Sequence, residues 1–288
     1  TVCKRSSRVC KLMINEAEVA GHYERKDLCS RIMASLQQAG IEQPTLQDLS
    51  AVDEFHIGGV DATRFVSAAL APAASGKILD IGCGIGGPAR FIASDTSCNV
   101  TGIDLTESFV KTGNYLSRLV GLEDQVMLHT GNALSLPFAD SEFDAAYLIH
   151  VGMNIADKEQ LIGEAARVIK PGGRFVIYDV MQMQDATLPY PLPWAETGKT
   201  SAVGSPKIYL DALIRAKLIA TPPQNKCDFA LQFFDRMMKK GAGNKPPTLG
   251  LHLVMGATMP LKIQNVHQQI RQGVLAPLVI TASRELVS

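Results

Sequence analysis

Residues able to do chemistry gather in a few short stretches. The first is Asp80-Ile81-Gly82-Cys83-Gly84-Ile85-Gly86-Gly87. Glycines let a backbone approach a ligand where a Cβ would collide, and Gly82, Gly84 and Gly87 satisfy the G-x-G-x-x-G spacing of a nucleotide-binding turn. Asp80, two places before the first glycine, suits a ligand carrying a cationic ammonium group and is a poor neighbour for a pyrophosphate. The second stretch is Asp104-Leu105, about twenty residues further on, where a carboxylate can accept two hydrogen bonds from ribose hydroxyls. The plain alternative for Asp104 is a cap on the next helix. Further along stand Gly131-Asn132-Ala133 and His150-Val151-Gly152-Met153-Asn154. His150, His56 and Tyr23 are the side chains that could act as a base.

The elements around them follow from periodicity. Residues 77–81 form a short apolar run that reads as a buried parallel strand. A helix is expected from 89, strands at 99–104, 126–130, 145–149 and 174–179, and helices at 106–120 and 158–169. Lys170-Pro171-Gly172-Gly173 supplies stop signals for the last of these. Strands alternating with helices predict a doubly wound sheet, with ligands outside the carboxyl ends of its strands. Upstream, 16–40 has helical spacing and 62–70 reads as another helix. About 75 residues before the first strand exceed what such a unit needs, so an N-terminal helical layer or flap is expected. Downstream, Leu188-Pro189-Tyr190-Pro191-Leu192-Pro193-Trp194 is a proline-spaced aromatic loop suited to a lid or pocket wall. Helices are expected at 205–217, 229–240 and 260–272, a short strand within 218–228, a loop over 241–247 and a closing strand at 276–282. Phe229, Phe233, Phe234 and Met237 share a helix face, a stripe that reads as core.

Taken together, residues 55–179 resemble the class I S-adenosylmethionine (SAM)-dependent methyltransferases. SAM has an ammonium group and no phosphate, in keeping with Asp80. His22-Tyr23, the 53–59 stretch and Gly86-Gly87-Pro88-Ala89-Arg90 look like the small-molecule branch, which includes ubiquinone/menaquinone-type, sarcosine/dimethylglycine and tocopherol methyltransferases. The resemblance implies an α/β Rossmann-like sheet, mostly parallel with an antiparallel last strand, helices on both faces, N-terminal helices and a helical lid. It implies four segments: an N-terminal flap (1–74), the SAM-binding core (75–180), a lid and substrate insertion with remaining sheet elements (181–275), and a closing strand (276–288). SAM would be held by Asp80, Gly82, Cys83, Gly84, Gly86, Asp104, Leu105, Asn132, Ala133 and His150. Met153, Tyr190 and Trp194 would meet the methyl acceptor. Asn132 departs from the pattern, since that place commonly carries an acid for the adenine amino group; an amide oxygen can still accept that bond. Asn154 stands where phosphoethanolamine-type relatives carry a histidine paired with an N-terminal tyrosine.

The bulk properties set limits. The 288 residues carry 28 Lys+Arg and 28 Asp+Glu, a formal charge of zero that argues against a nucleic-acid partner. The six cysteines form no C-x-x-C and no zinc-like spacing with the six histidines, so no metal is expected and free thiols in a reducing compartment are. No apolar run long enough for a membrane span is present. Residues 1–13 hold Lys4, Arg5, Arg8 and Lys11 and no acid, consistent with a basic tail or an organelle transit remnant. The expectation is a cytoplasmic enzyme, organellar if that remnant is real, working on a small-molecule acceptor as a monomer or homodimer. A nicotinamide-dependent oxidoreductase would share the glycine turn and Asp104, but Asp80 and the absence of a Ser/Tyr-x-x-x-Lys set speak against it. A non-catalytic SAM-binding protein would keep the cofactor half alone.

Overall fold

The computed structural model describes residues 15–24, 27–241 and 247–286. The basic segment 1–13 and most of the loop expected over 241–247 lie outside the described residues. The chain runs α1 (Glu16–Tyr23), α2 (Leu28–Gln38), α3 (Leu46–Asp53), α4 (Val60–Leu70), β1 (Lys77–Ile81), α5 (Gly87–Thr96), β2 (Asn99–Asp104), α6 (Glu107–Leu119), β3 (Val126–Thr130) and β4 (Phe143–Ile149). It continues with α7 (Lys158–Val168), β5 (Ile169–Gln182), α8 (Pro206–Arg215), β6 (Leu218–Ala220), β7 (Gln224–Asn225), α9 (Cys227–Gly241), α10 (His252–Met255), α11 (Met259–Arg271) and β8 (Leu275–Arg284).

One sheet has the order β3-β2-β1-β4-β5-β8-β6, with β7 also on β8. β1 to β5 are parallel, and β8 runs antiparallel to β5. Leu79 and Ile81 of β1 pack toward α7 and α8, while Ile78 packs toward α4 and α5. Burial on both faces is why the central strand is a continuous apolar run. Leu28, Ile32 and Leu36 of α2 join Leu49 and Val52 of α3, Phe109 and Leu116 of α6 and Leu253 and Val254 of α10 in a separate core beside the sheet. A fourth core joins Leu192, Trp194 and Ala195 to α9 and α11.

Several elements differ from expectation. The single helix expected over 16–40 is two, and the five-residue gap from Tyr23 to Leu28 in its apolar spacing marks the break. α3 is an additional helix, and Thr45 and Asp48 form a reciprocal capping box at its start. Lys170-Pro171-Gly172-Gly173 lies within the span of β5, where pairing with β4 jumps from Ile169 to Arg174. β5 itself extends to Gln182, past the expected start of the insertion. The strand expected within 218–228 is split into β6 and β7 around Pro222-Pro223, which have no N–H to donate. Within 181–275, α8 covers the sheet with α7 and β6 and β7 extend it, whereas the aromatic loop, α9, α10 and α11 wall a cavity.

Candidate active site

At the carboxyl ends of β1 and β2 the chain turns twice around a cavity of about 350 Å³. Gly82 (φ 77°) and Gly84 (φ 53°) adopt the left-handed conformation open to glycine. A Cβ on Gly82 would come within 2.4 Å of Val151, and one on Gly84 within 2.5 Å of Phe55. Asp104 ties the turn to β2: its Oδ2 accepts from Gly84 N–H at 2.9 Å and its Oδ1 from Thr106 N–H at 2.8 Å. The cap reading is thus met in part, and each oxygen keeps a lone pair for a ligand. Burial raises the Asp104 carboxyl, against these two backbone donors.

Asp80 is 2 % exposed, and its Oδ2 has no hydrogen-bond partner. Burial pushes its carboxyl up to about 7, opposed by the neighbouring Tyr147 hydroxyl. An unpartnered buried carboxylate oxygen is costly and calls for a cation. Here it borders the cavity beside the two glycines. The residues fit SAM: Asp80 and Asp104 border one cavity, where the first could pair an ammonium and the second could accept from a diol. Cys83, Leu105, Asn132, Ala133 and His150 line the same cavity. Gly86 does not; it is the N-cap of α5 at φ 78°, and a Cβ there would meet Leu128 and Arg90.

His150 follows β4 at φ 55° and lies 4.9 Å, ring to ring, from Tyr178. Its Nδ1 accepts from Ile57 N–H at 3.5 Å, which leaves the proton on Nε2, and Nε2 has no partner. Burial first, and His56 second, hold its pKa well below the usual value. His56 also borders the cavity, but its Nε2 is engaged by the Gly59 carbonyl at 3.1 Å, with Thr63 Oγ1 at 3.3 Å and Glu54 at 3.4 Å. Burial lowers it to about 4. This packing gives His56 a structural setting rather than that of a free base.

Tyr23 does meet Asn154. Its hydroxyl donates to Asn154 Oδ1 at 3.0 Å, and Asn154 Nδ2 donates to the carbonyls of Trp194 (2.7 Å) and Thr200 (3.0 Å). Burial, reinforced by Asp104 and Asp179, raises the Tyr23 hydroxyl well above its ordinary range. An amide so bonded cannot take a proton; it clamps α1 to the aromatic loop.

Met153 (3 % exposed) and Trp194 (2 %) line the apolar part of the cavity, with Trp194 Nε1 held by Ser201 Oγ at 3.0 Å. Tyr190 does not line it: its ring lies against Gly198, beneath the loop. Phe233, Phe234 and Met237 of the stripe read as core face the cavity, together with Val254, Met255 and Val266. As the stripe's spacing implied, Phe234 is also buried in the core that α9 shares with α11 and the aromatic loop, with Phe233 and Met237 packed against it, and Phe229 packs on Phe65. Phe55 and Ile57, both within the 53–59 stretch, and Phe109 also border the site, although the sequence assigns none of them a role there. Glu16 borders it too, bonded to Asn132. Among the described residues no group of three or more His, Cys, Asp or Glu is placed to hold a metal ion, and no helix is long and apolar enough to cross a membrane.

The sheet order, the glycine turn and the acids at the ends of β1 and β2 resemble those of class I SAM-dependent methyltransferases. Residues 79–177 match the family described as "Methyltransferase domain". It is 30 % identical over 164 residues to methyltransferase GfsG of Streptomyces halstedii, which covers 57 % of this chain and 58 % of that protein. It is 41 % identical over 102 residues to a sterol 24-C-methyltransferase of Eremothecium gossypii, covering 35 % of this chain and 27 % of that one. The chain thus spans less than two thirds of these relatives. In fold it resembles geranyl diphosphate C-methyltransferase of Streptomyces coelicolor A3(2), with TM-score 0.68 and 18 % identity over 97 % of this chain and 100 % of that one. It also resembles the [4+2]-cyclase SpnF, with TM-score 0.66 and 20 % identity over 95 % and 98 %.

Proposed function

We propose that this chain is a SAM-dependent methyltransferase whose acceptor is a small molecule with a largely apolar body. The observation that carries this is the continuity of the cavity. It begins at Asp80 and Asp104 and opens onto a wall of Met153, Trp194, Phe233, Phe234, Met237 and Val266. The names of relatives that act on sterols and geranyl diphosphate support an acceptor of that kind. A nicotinamide cofactor would set its pyrophosphate against buried Asp80, which supports SAM over that alternative.

When bound, SAM supplies a methyl group already activated by its sulfonium. What remains for the protein is to hold and to exclude. Asp80 would pair the ammonium, and Asp104 the ribose hydroxyls, from positions locked by the strands that carry them. The apolar wall would hold the acceptor against the cofactor and keep water out; such alignment can supply about 7–11 kcal/mol. His150, neutral at physiological pH and protonated on Nε2, is set as a hydrogen-bond donor and not as a base. Tyr23 stays neutral and spends its proton on Asn154. This arrangement favours a nucleophile that needs no deprotonation before transfer. A reducing compartment, such as the cytoplasm, suits the free thiols Cys29, Cys83, Cys98 and Cys227.

The test is transfer from methyl-labelled SAM to a panel of prenyl, sterol and phenolic acceptors. Label should enter the organic phase, and SAM at 100 times its dissociation constant should stabilise the protein by about 2.7 kcal/mol. Stabilisation by NAD and none by SAM would overturn the reading.

A further inference from the structure

The Asn132 side chain is held at both ends. Its Oδ1 accepts from the N–H of Leu134 at 2.8 Å. Its Nδ2 donates to both oxygens of Glu16, at 2.9 and 3.0 Å. The two sets of bonds fix the amide orientation consistently, with oxygen toward the N–H and nitrogen toward the carboxylate. Glu16 is the first residue of α1, and its side chain borders the cavity beside Val19, Leu105, Ala133 and Leu134.

The strand order says which part of a ligand reaches this place. β1, β2 and β3 are consecutive neighbours. With the ammonium at Asp80 over β1 and the ribose at Asp104 over β2, the next group along an adenosyl ligand, its base, falls over β3, which leads into Gly131 and Asn132. Adenine carries an exocyclic amine that must find an acceptor there. A carboxylate has about four lone-pair sites, and Nδ2 of Asn132 occupies only part of them.

We infer that Glu16 supplies the carboxylate that accepts from the adenine amine, with Asn132 as its positioning residue; this rests on the site being an adenosyl site. The acid is displaced from the strand end to the helix that closes over it. The displacement also accounts for an amide at 132. An aspartate there would keep the bond to Leu134 but set two carboxylates side by side, whereas an amide holds Glu16 with its two N–H groups. Base recognition therefore requires α1 in place. The same helix holds Asn154 through Tyr23 at its other end, so the adenine end and the acceptor end close together.

Calorimetry with S-adenosylhomocysteine and with S-inosylhomocysteine, which has a 6-oxo group for the amine, tests this. The wild-type protein should prefer the adenosyl ligand. Glu16→Gln should weaken adenosyl binding about tenfold, leave inosyl binding unchanged, and so erase most of the preference. Asn132→Asp alone should also weaken adenosyl binding. Combining it with Glu16→Gln, which returns the acid to the strand end, should restore affinity to within about threefold of wild type. The melting temperature of ligand-free Glu16→Gln should match wild type, since the pair is exposed. Unchanged affinity and preference in Glu16→Gln would overturn the assignment while leaving the SAM site standing. No binding of S-adenosylhomocysteine by the wild-type protein would overturn the site itself.

Discussion

The two ends of the cavity are made of different materials. Over β1 and β2 the wall is backbone and carboxylate: Asp80 and Asp104 sit at strand ends whose register pairs Asp80 with Gly102 and Asp104 with Thr130. Neither can shift without breaking ladder hydrogen bonds. The far end is side chain. Trp194 comes from a loop, Phe233, Phe234 and Met237 from α9, Met255 from α10 and Val266 from α11. Helices held by apolar packing can repack, and hydrophobic swaps of similar volume are tolerated. One end thus reads a fixed pattern of charge, while the other takes the shape its side chains leave. On the proposed reading, the wall facing the acceptor could change without disturbing the carboxylates.

The sharpest way to break this comparison is Asp80→Asn. If charge governs the first end, affinity for S-adenosylhomocysteine should fall by more than about a hundredfold. The ligand-free protein should melt no lower than wild type, because the change removes an unpartnered buried carboxylate. Thermal shift with and without ligand measures both, and a drop in ligand-free stability with affinity intact would make Asp80 a structural residue.

A second effect is smaller and graded. Burial holds the Asp80 carboxyl up to about 7, so it is mostly protonated below that pH, whereas the ammonium requires the ionised form. Binding must expel the proton. Affinity for S-adenosylhomocysteine should therefore fall about tenfold per unit as pH drops below 7 and level off above it. Titrations at pH 6 in buffers of different ionisation enthalpy should show release of about one proton. A flat profile would place the titrating group elsewhere.

The smallest effect is expected where the two ends meet. His150→Asn tolerates the left-handed backbone at this position, and its side chain can still accept from Ile57 N–H, but Nε2 is lost. The Michaelis constant for SAM should rise a few-fold, and the saturated rate should fall by less than the 10²–10⁴-fold of a lost base. Steady-state kinetics with an identified acceptor decides. Loss of more than about a thousandfold in saturated rate, with SAM affinity intact, would make His150 the base.

Legibility in the sequence divides along the same line. That Asp80, Gly82 and Gly84 border one cavity is legible because they lie within one strand-turn unit, and that Asp104 joins them is legible because the next strand end is its neighbour. The parallel strands were legible as apolar runs, and β8 as one more. Glu16 was not legible, since its bond to Asn132 spans 116 positions and no local pattern announces it. The stripe on α9 is legible as core, which it forms with α11 and the aromatic loop, but not as a cavity wall: a helix face packed on core and one bordering a cavity have the same periodicity. Only the arrival of α10, α11 and the aromatic loop decides between them. α3 is different, because the Thr45–Asp48 box was present and would have located its start.

The interruption of the sheet's last edge has a consequence for how the molecule behaves in a crowded solution. Beyond β8, the outermost segment pairs over three residues, breaks at Pro222-Pro223, and then pairs over two. An unbroken edge beside Ile219, which is 58 % exposed, would offer a row of unpaired N–H and C=O groups to another chain. Two prolines cut that row into pieces too short to template an intermolecular strand. Replacing Pro222-Pro223 by β-formers would lengthen the edge and make self-association the cost of a tidier sheet.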